Sequence, residues 1–262
     1  MWNGKQGGST SATASAALGW LGRLVRKLIE GPVGTVVRFL SLDHNVLDVL
    51  ERCAVHDSAN YIAATMPEAL ALRSREALWD VAIRNAERHG LWLEFGVFKG
   101  YSINYLARRM DGRVFGFDSF HGLQEDWKGV GHARGTFDLV GRLPRVRSNV
   151  SLVAGWFSET LPGFLAANPG PVSLLHLDCD TYEATAEVLG LIMERLTPTT
   201  AIIMDDHHGF WGYRNGQFRA WAEFVAAHGL VYRYAAFNRH AVLIWNVQSG
   251  APEPPREQIV PQ

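Results

Sequence analysis

The chain has 262 residues, of which 47% are hydrophobic and 19% are charged, and its formal net charge at neutral pH is -1. This composition can supply the core of one domain with additional helices, and the near-neutral charge argues against nucleic acid as a partner, because it attracts no polyanion. No apolar run in the sequence is long enough to span a bilayer. Cys53 and Cys179 match no metal-binding spacing, and we expect a reduced, cytoplasmic setting.

The start of the chain predicts a tail and then helices. Residues 1–17 are rich in Gly, Ser, Thr and Ala and predict a disordered tail, and residues 18–66 predict a helical extension. Within this extension, the stretch 20–29 has one apolar and one basic face. Such a helix packs on its own domain or on a second subunit, as in a homodimer, or it lies on a membrane surface. We favour packing, because basic amphipathic helices are common in soluble proteins.

A further helix is predicted over residues 67–89, directly before the first strand. Its apolar residues recur at helical spacing and would share one face. They are Leu70, Leu78, Trp79, Ala82, Ile83 and Ala86.

A strand, a glycine turn and a helix follow, in the layout of a phosphate- or nucleoside-binding segment. The strand at 91–96 ends in Gly96, the turn ends in Gly100, and a helix follows at about 102–109. A second strand ends in Asp118, an acid that can accept both hydroxyls of a ribose. The third glycine of a dinucleotide-binding loop is absent, so a dinucleotide is less expected than a smaller cofactor.

The second half of the chain predicts a strand, a helix and a strand. The apolar runs at 173–177 and 201–204 read as buried strands, and the pattern between them, at 182–196, reads as a helix. A right-handed crossover makes the two strands parallel, so their carboxyl ends emerge at the same edge of the sheet. That edge is where open α/β folds bind ligands.

Two pairs of acids end these two strands, namely Asp178 with Asp180 and Asp205 with Asp206. Four carboxylates in so small a space require protons, partner cations or a bound metal ion. No Lys or Arg lies nearby in the sequence, so we favour a hard cation such as Mg²⁺ or Ca²⁺. The alternative is that one or two of these aspartates merely cap helices, since Asp180 and Asp206 both precede the start of a turn or a helix.

The remaining elements complete an α/β fold with a Rossmann-like, seven-stranded sheet. A strand begins at 151, a helix covers 217–228, and a C-terminal hairpin pairs 230–235 with 241–245. The strands at 91, 113, 151, 173 and 201 would be parallel, with the hairpin appended. We predict one domain over 67–249 and a C-terminal tail over 250–262.

Four motifs stand in order along this domain, at 94–100, 117–127, 155–162 and 177–185. Together they resemble the macrocin O-methyltransferase family, a group of class I S-adenosylmethionine-dependent methyltransferases. The resemblance covers about residues 60–247. It implies a methyltransferase sheet, to which the predicted N-terminal helices are an addition, and transfer of a methyl group to a hydroxyl of a small molecule such as a sugar or a glycosylated metabolite.

The resemblance also implies roles for individual residues. The cofactor-binding set would be Glu94, Gly96, Gly100, Ser102, Asp118, Ser119, Gly155, Trp156, Phe157 and Asp178. Asp178, Asp205 and Asp206 would bind Mg²⁺, and Asp180 would be the general base. On a strand, residues 178 and 180 would face the same side, so that both could reach one acceptor.

Two other readings of the chain are an NAD-dependent oxidoreductase and a non-catalytic protein that only binds the cofactor. The missing third glycine argues against the first, and the retained acids argue against the second.

Three histidines lie near the acids. We expect His176 to be a hydrogen-bonded core residue, because it lies below the rim of the sheet. His207 and His208 would either contact the acceptor or metal, or lie exposed in a turn. The aromatic-rich loops at 122–141 and 209–216 would either form the acceptor wall or pack onto the domain.

Overall fold

The computed structural model describes Lys27 and residues 45–250. The chain divides into two compact units, residues 1–49 and 50–262, and the whole sheet belongs to the second. The predicted tail at 1–17 lies outside the described residues. So do the stretch 20–29, apart from Lys27, and the tail after Gly250.

Helices and strands alternate along most of the described chain. In order, they are α1 Val46–Thr65, β1 Leu70–Ala71, α2 Arg75–Asn85, β2 Leu91–Phe95, α3 Tyr101–Ala107, β3 Val114–Asp118, β4 Val150–Ala154, α4 Phe157–Ala167, β5 Val172–Leu177, α5 Tyr182–Ile192, β6 Ala201–Met204, α6 Gln217–His228, β7 Leu230–Phe237 and β8 Val242–Ser249. Short 3₁₀ helices occur at Met193–Arg195 and Tyr213–Asn215.

The described strands form one sheet with the order β1-β7-β8-β6-β5-β2-β3-β4. The five predicted parallel strands, β2 to β6, are neighbours in this sheet and are parallel. Strand β8 is antiparallel to both of its neighbours, which confirms the C-terminal hairpin. The α/β class is therefore confirmed, and the two-residue strand β1 adds an eighth strand at the edge next to β7.

The prediction of one helix over 67–89 is wrong in its first part. Helix α2 begins only at Arg75, because Ser74 has an extended backbone and its side chain accepts a hydrogen bond from the backbone N–H of Ala77. This is the geometry of an N-cap residue. Leu70 lies in edge strand β1 and is 55% exposed, so it does not belong to the helical face.

Both faces of the sheet are covered by helices. On one face, Leu93, Phe95 and Leu175 pack in a core that includes residues of α4, α5 and α6. On the other face, Trp92 and Leu174 pack in a core that includes residues of α2 and α3. Every residue of β5 is buried, as expected for a central parallel strand. Alternate residues of one strand therefore serve two different cores.

Candidate active site

A cavity of about 410 Å³ lies at the carboxyl ends of the parallel strands. Its volume falls in the range of small-molecule sites. The predicted site residues that line it are Gly96, Asp118, Ser119, Trp156, Phe157, Asp178, Asp180, Asp205 and Asp206. Glu94, Gly100, Ser102 and Gly155 do not line it. The structure thus brings most of the predicted cofactor residues together with all four acids.

Gly96 lets the ends of β2 and β5 approach each other. Its φ is +89°, and a Cβ atom built at this position would lie 1.9 Å from the carbonyl oxygen of Asp178. No side chain fits there, and the positive φ also favours glycine. Gly100, with φ +79°, precedes the first residue of α3. The two glycines therefore shape the backbone turn, although only Gly96 lines the cavity.

Asp118 is held in place by backbone groups. One carboxylate oxygen accepts hydrogen bonds of 2.8 Å from the N–H groups of Val97 and Phe98. The other accepts a hydrogen bond of 2.7 Å from the N–H of Phe120. A carboxylate has about four acceptor positions, so one remains for a ligand in the cavity.

Asp178, Asp205 and Asp206 form a cluster of the kind that holds a metal ion. Each offers an oxygen, and these oxygens lie within 4.8 Å of one another. Asp205 Oδ1 and Asp206 Oδ2 are buried and have no hydrogen-bond partner among the described residues. Buried carboxylate oxygens without partners are costly, and oxygen ligands suit Mg²⁺ or Ca²⁺. The donor set therefore fits a hard divalent cation.

Arg75 also reaches this cluster, although the sequence suggested that no cation was near. Its guanidinium lies 2.8 Å from Asp205 Oδ2 and 3.2 Å from Asp178 Oδ2. The side chain extends from the first residue of α2 and is 47% exposed. Burial alone would lower the pKa of Arg75, but the charges of Asp205 and Asp178 raise it. The residue lies 103 positions before Asp178, so no local pattern could have revealed the contact.

The four acids differ in their preferred protonation. Burial and the charge of Asp205 raise the pKa of Asp178, and burial and the charge of Asp178 raise that of Asp180. Burial and the charge of Asp180 likewise raise the pKa of Asp206. Burial would also raise the pKa of Asp205, but His176 and Arg75 outweigh it and lower this pKa. Asp205 is therefore the carboxylate of the four that stays ionised most readily. A divalent cation bound at Asp178 and Asp206 would displace the protons from these two carboxyl groups.

Asp180 lines the same cavity as this cluster, but it is not part of a strand, as the sequence pattern had suggested. Strand β5 ends at Leu177, and Asp180 has a left-handed backbone with φ 63°. The expectation that residues 178 and 180 share a strand face is therefore wrong. Both still line the cavity, because the turn after the strand redirects Asp180.

The helix-capping alternative is also wrong for both acids. The N-cap of α5 is Thr181, whose side chain accepts a hydrogen bond from the N–H of Ala184. Helix α6 begins at Gln217 after Gly216, far from Asp206 in the chain. Gln217 is itself buried, and its side chain accepts a hydrogen bond of 3.0 Å from the N–H of Asp206. Asp180 and Asp206 are therefore not helix caps, and both line the cavity.

His176 is a hydrogen-bonded core residue, as predicted. It is fully buried, and its Nδ1 lies 2.9 Å from Glu94 Oε2. Its Nε2 faces Asp205 Oδ1 at 3.9 Å. Burial alone would lower the pKa of His176, but the carboxylates of Asp205 and Glu94 raise it to about 10. The acidic side chains on either side of the imidazole thus favour its protonated form.

His207 and His208 are buried, so the prediction of exposed turn residues is wrong. Neither lines the cavity. His207 Nε2 hydrogen-bonds the hydroxyl of Tyr234 at 3.2 Å, and His208 Nε2 donates to the carbonyl oxygen of Asn238 at 3.0 Å. Burial lowers the pKa of both, to about 4 for His208. Their contacts tie the turn after β6 to the C-terminal hairpin.

The two aromatic-rich loops touch each other. A Cβ atom on Gly129 would lie 2.7 Å from the Cα of Gly212, and Trp127 meets the ring of Phe210 edge-on. Of their aromatic residues, Phe137 lines the cavity. Tyr213 and Arg214 instead hydrogen-bond Asp57 of α1. Phe137 thus forms part of the cavity wall, whereas Trp127, Phe210 and Tyr213 contact other residues of the protein.

The central part of the chain is similar to a known protein family. Residues 93–207 match a protein family described as "Methyltransferase domain". This segment contains the backbone turn at Gly96 and Gly100 and all four acids of the cavity. This central segment of the chain is therefore similar to methyltransferase domains.

Two further proteins are similar to this chain. The 8-demethyl-8-(2,3-dimethoxy-alpha-L-rhamnosyl)-tetracenomycin-C 4'-O-methyltransferase of Streptomyces olivaceus is 33% identical over 138 residues, which is 44% of this chain. The matched part spans about half, 52%, of that curated relative. The solved structure of the calicheamicin methyltransferase CalS11 is 20% identical, matches 94% of this chain and 98% of its own, and has a TM-score of 0.53. At this identity the second likeness concerns the fold.

Among the helices that the structure describes, none combines the length and apolar character that crossing a bilayer requires.

Proposed function

We propose that this chain is an S-adenosylmethionine-dependent and Mg²⁺-dependent O-methyltransferase. Its acceptor would be a hydroxyl group of a small molecule, either a sugar or a glycosylated metabolite. One observation carries the proposal, namely that three carboxylates suited to a divalent cation share a cavity with the backbone turn at Gly96 and the acid Asp118. The printed name of the curated relative, a rhamnosyl-tetracenomycin O-methyltransferase, supports the choice of acceptor class.

The cofactor would occupy the half of the cavity formed after β2, β3 and β4. The remaining acceptor position of Asp118 is suited to one hydroxyl of a ribose. Trp156 and Phe157 line the same cavity and offer aromatic surface for an adenine ring. Gly96 lets the backbone approach a ligand closely, because no side chain intervenes.

The acceptor would bind at the half of the cavity formed after β5 and β6. Asp178, Asp205 and Asp206 would hold Mg²⁺, whose chemistry at such a site is to lower the pKa of a nearby hydroxyl. Asp180 lines the same cavity and would accept the proton of that hydroxyl. The methyl donor is already activated as a sulfonium, so the protein's task is to orient the acceptor and remove its proton.

The other two functions lack a supporting observation. A dinucleotide-binding loop would require a third glycine, and Gly96 and Gly100 do not provide that spacing. A protein that only binds the cofactor would have no use for four acids at one cavity.

Calorimetric titration tests the cofactor and the metal directly. We expect S-adenosylhomocysteine to bind, NAD not to bind, and Mg²⁺ to bind at one site. No binding of S-adenosylhomocysteine would reject the methyltransferase proposal, and no binding of Mg²⁺ would reject the metal. Mass spectrometry of sugar and glycoside pools incubated with isotopically labelled S-adenosylmethionine would then identify the acceptor.

The variant Asp180→Asn tests the general base. We expect turnover to fall by about 10²–10⁴-fold, the usual contribution of such a group. Binding of S-adenosylhomocysteine and Mg²⁺ should persist. Asp111→Asn, at an exposed loop position, is the matched control and should leave turnover unchanged. Unchanged turnover in Asp180→Asn would remove Asp180 from the mechanism.

A further inference from the structure

Two buried ionisable residues lie side by side on neighbouring central strands. Glu94 on β2 and His176 on β5 are register partners, and both are 0% exposed. Register partners on adjacent strands point to the same face of the sheet. That face carries α2 and α3, and it is the face from which Arg75 reaches the acid cluster.

Both carboxylate oxygens of Glu94 have partners inside the protein. Oε1 accepts a hydrogen bond of 3.0 Å from the hydroxyl of Ser102, and Oε2 lies 2.9 Å from His176 Nδ1. A buried carboxylate beside a ring nitrogen accepts its hydrogen, so Nδ1 carries a proton. Glu94 does not line the cavity, and its polar atoms do not need a ligand.

The same contact aims the other ring nitrogen at the acid cluster. His176 Nε2 faces Asp205 Oδ1 at 3.9 Å, and neither atom has a hydrogen-bond partner among the described residues. The ring of Trp79 packs edge-on against the imidazole, with centroids 5.8 Å apart. A shift of about 1 Å would bring Nε2 within hydrogen-bond distance of Asp205.

We propose that Glu94 and His176 are positioning residues for Asp205, and that Glu94 serves the metal half of the cavity and does not contact the cofactor. Glu94 holds the imidazole, and the imidazole orients the Asp205 carboxylate toward its fellow ligands. This inference rests on the proposed function, because it requires a divalent cation at Asp178, Asp205 and Asp206. It replaces the cofactor role that the sequence motif implied for Glu94.

The variant Glu94→Gln separates the two roles of Glu94. Residues behind metal ligands commonly contribute about 10–100-fold to metal affinity. We therefore expect the dissociation constant for Mg²⁺ to rise by about 10–100-fold. The dissociation constant for S-adenosylhomocysteine, measured with a chelator present, should change less than about twofold, since both carboxylate oxygens of Glu94 have partners inside the protein and the residue does not line the cavity. Loss of S-adenosylhomocysteine affinity with unchanged Mg²⁺ affinity would overturn the proposal.

Two variants of His176 test the direction of the contact. Asparagine can donate near the position of Nδ1 but does not reach Asp205, whereas glutamine places an amide near the position of Nε2. We expect His176→Asn to bind Mg²⁺ about 10–100-fold more weakly than the wild type, and His176→Gln to recover part of that loss. Equal Mg²⁺ affinities of the two variants would overturn the proposal.

Further measurements separate this proposal from simpler explanations. Ser173→Ala changes another buried polar residue of β5, one whose hydroxyl has no hydrogen-bond partner among the described residues, and should leave the Mg²⁺ affinity unchanged. Retained S-adenosylhomocysteine binding shows that each variant is folded. A wild-type protein that does not bind Mg²⁺ would refute the proposed metal itself. Wild-type Mg²⁺ binding with unchanged affinity in Glu94→Gln and His176→Asn would refute only the positioning role.

Discussion

Replacing Arg75 by glutamine removes the guanidinium that pairs with two of the three proposed metal ligands. Arg75 lies 2.8 Å from Asp205 Oδ2 and 3.2 Å from Asp178 Oδ2. A divalent cation held by these carboxylates would require the same oxygens and the same negative charge. We therefore expect Arg75 to compete with Mg²⁺, and the variant to bind Mg²⁺ more tightly than the wild type.

The size of the effect follows from the exposure of the partners. A hydrogen bond to a charged group contributes about 1.5–3 kcal/mol, whereas an exposed ion pair contributes about 0.2–1 kcal/mol. The Arg75 side chain is 47% exposed and that of Asp205 is 10% exposed, so the contact lies between these cases. We take about 1–2 kcal/mol as the interaction free energy of Arg75 with the acid cluster. Because about 1.4 kcal/mol corresponds to a factor of ten, Arg75→Gln should lower the dissociation constant for Mg²⁺ roughly tenfold.

The same substitution should destabilise the protein when no divalent cation is present. Asp178 and Asp205 would then lose their cationic partner, and the melting temperature should fall by a few degrees, since about 1 kcal/mol shifts it by roughly 2–4 °C in a domain of this size. Saturating Mg²⁺ should remove this deficit.

Calorimetric Mg²⁺ titration and thermal unfolding with and without Mg²⁺ measure the two effects. Arg109→Gln is the matched control, because Arg109 also pairs with an acid of α2, Asp80, at 3.0 Å. It should leave the Mg²⁺ affinity unchanged. Mg²⁺ affinity that is unchanged or weaker in Arg75→Gln would refute the competition.

Two further substitutions test the backbone turn and the docking of α1. Gly96→Ala should cost at least about 2 kcal/mol of unfolding free energy and abolish S-adenosylhomocysteine binding, because φ is +89° and the new Cβ would collide with the Asp178 carbonyl. Gly163→Ala should instead stabilise helix α4, because a Cβ atom at that position meets nothing within 4 Å. If Gly96→Ala and Gly163→Ala changed the melting temperature equally, this reasoning would be contradicted. Asp57→Asn should destabilise the protein at neutral pH, because the Arg214 hydrogen bonds lower the pKa of Asp57 below 3.8. The stabilisation by ionised Asp57 is present above pH 3.8, the ordinary pKa of an aspartate, and is lost as the pH falls through the lower pKa that Asp57 has in the folded protein. The difference in urea unfolding between Asp57→Asn and the wild type should therefore shrink in acid.

Local patterns predicted the sheet well because buried strands and amphipathic helices leave regular apolar spacings. Helix α6 has the predicted bounds, and strand β6 follows its apolar run residue for residue. Where a polar cap interrupts such a pattern, the prediction failed. The stretch 67–89 has helical spacing throughout, yet Ser74 starts the helix only at Arg75 and leaves Leu70 in an edge strand.

The acids illustrate a second limit. Their positions after two apolar runs were sufficient to predict that they meet, because parallel strands end at one edge. The orientation of Asp180 was not predictable from strand alternation, since its backbone is left-handed and no longer part of β5. The burial of His207 and His208 was missed for a similar reason, because it depends on the hairpin that packs against them.

The sequence by itself determined which residues end the central strands, and therefore which carboxylates share the cavity. This follows from hydrophobic periodicity and from the handedness of the crossover, both of which act over short stretches of chain. Only the tertiary structure decided what surrounds those carboxylates. It brings Arg75 onto them from helix α2, and it places the Glu94–His176 pair behind Asp205. Such contacts join residues far apart in the chain through the packing of a helix on a sheet and the register of two strands, and no local pattern encodes them.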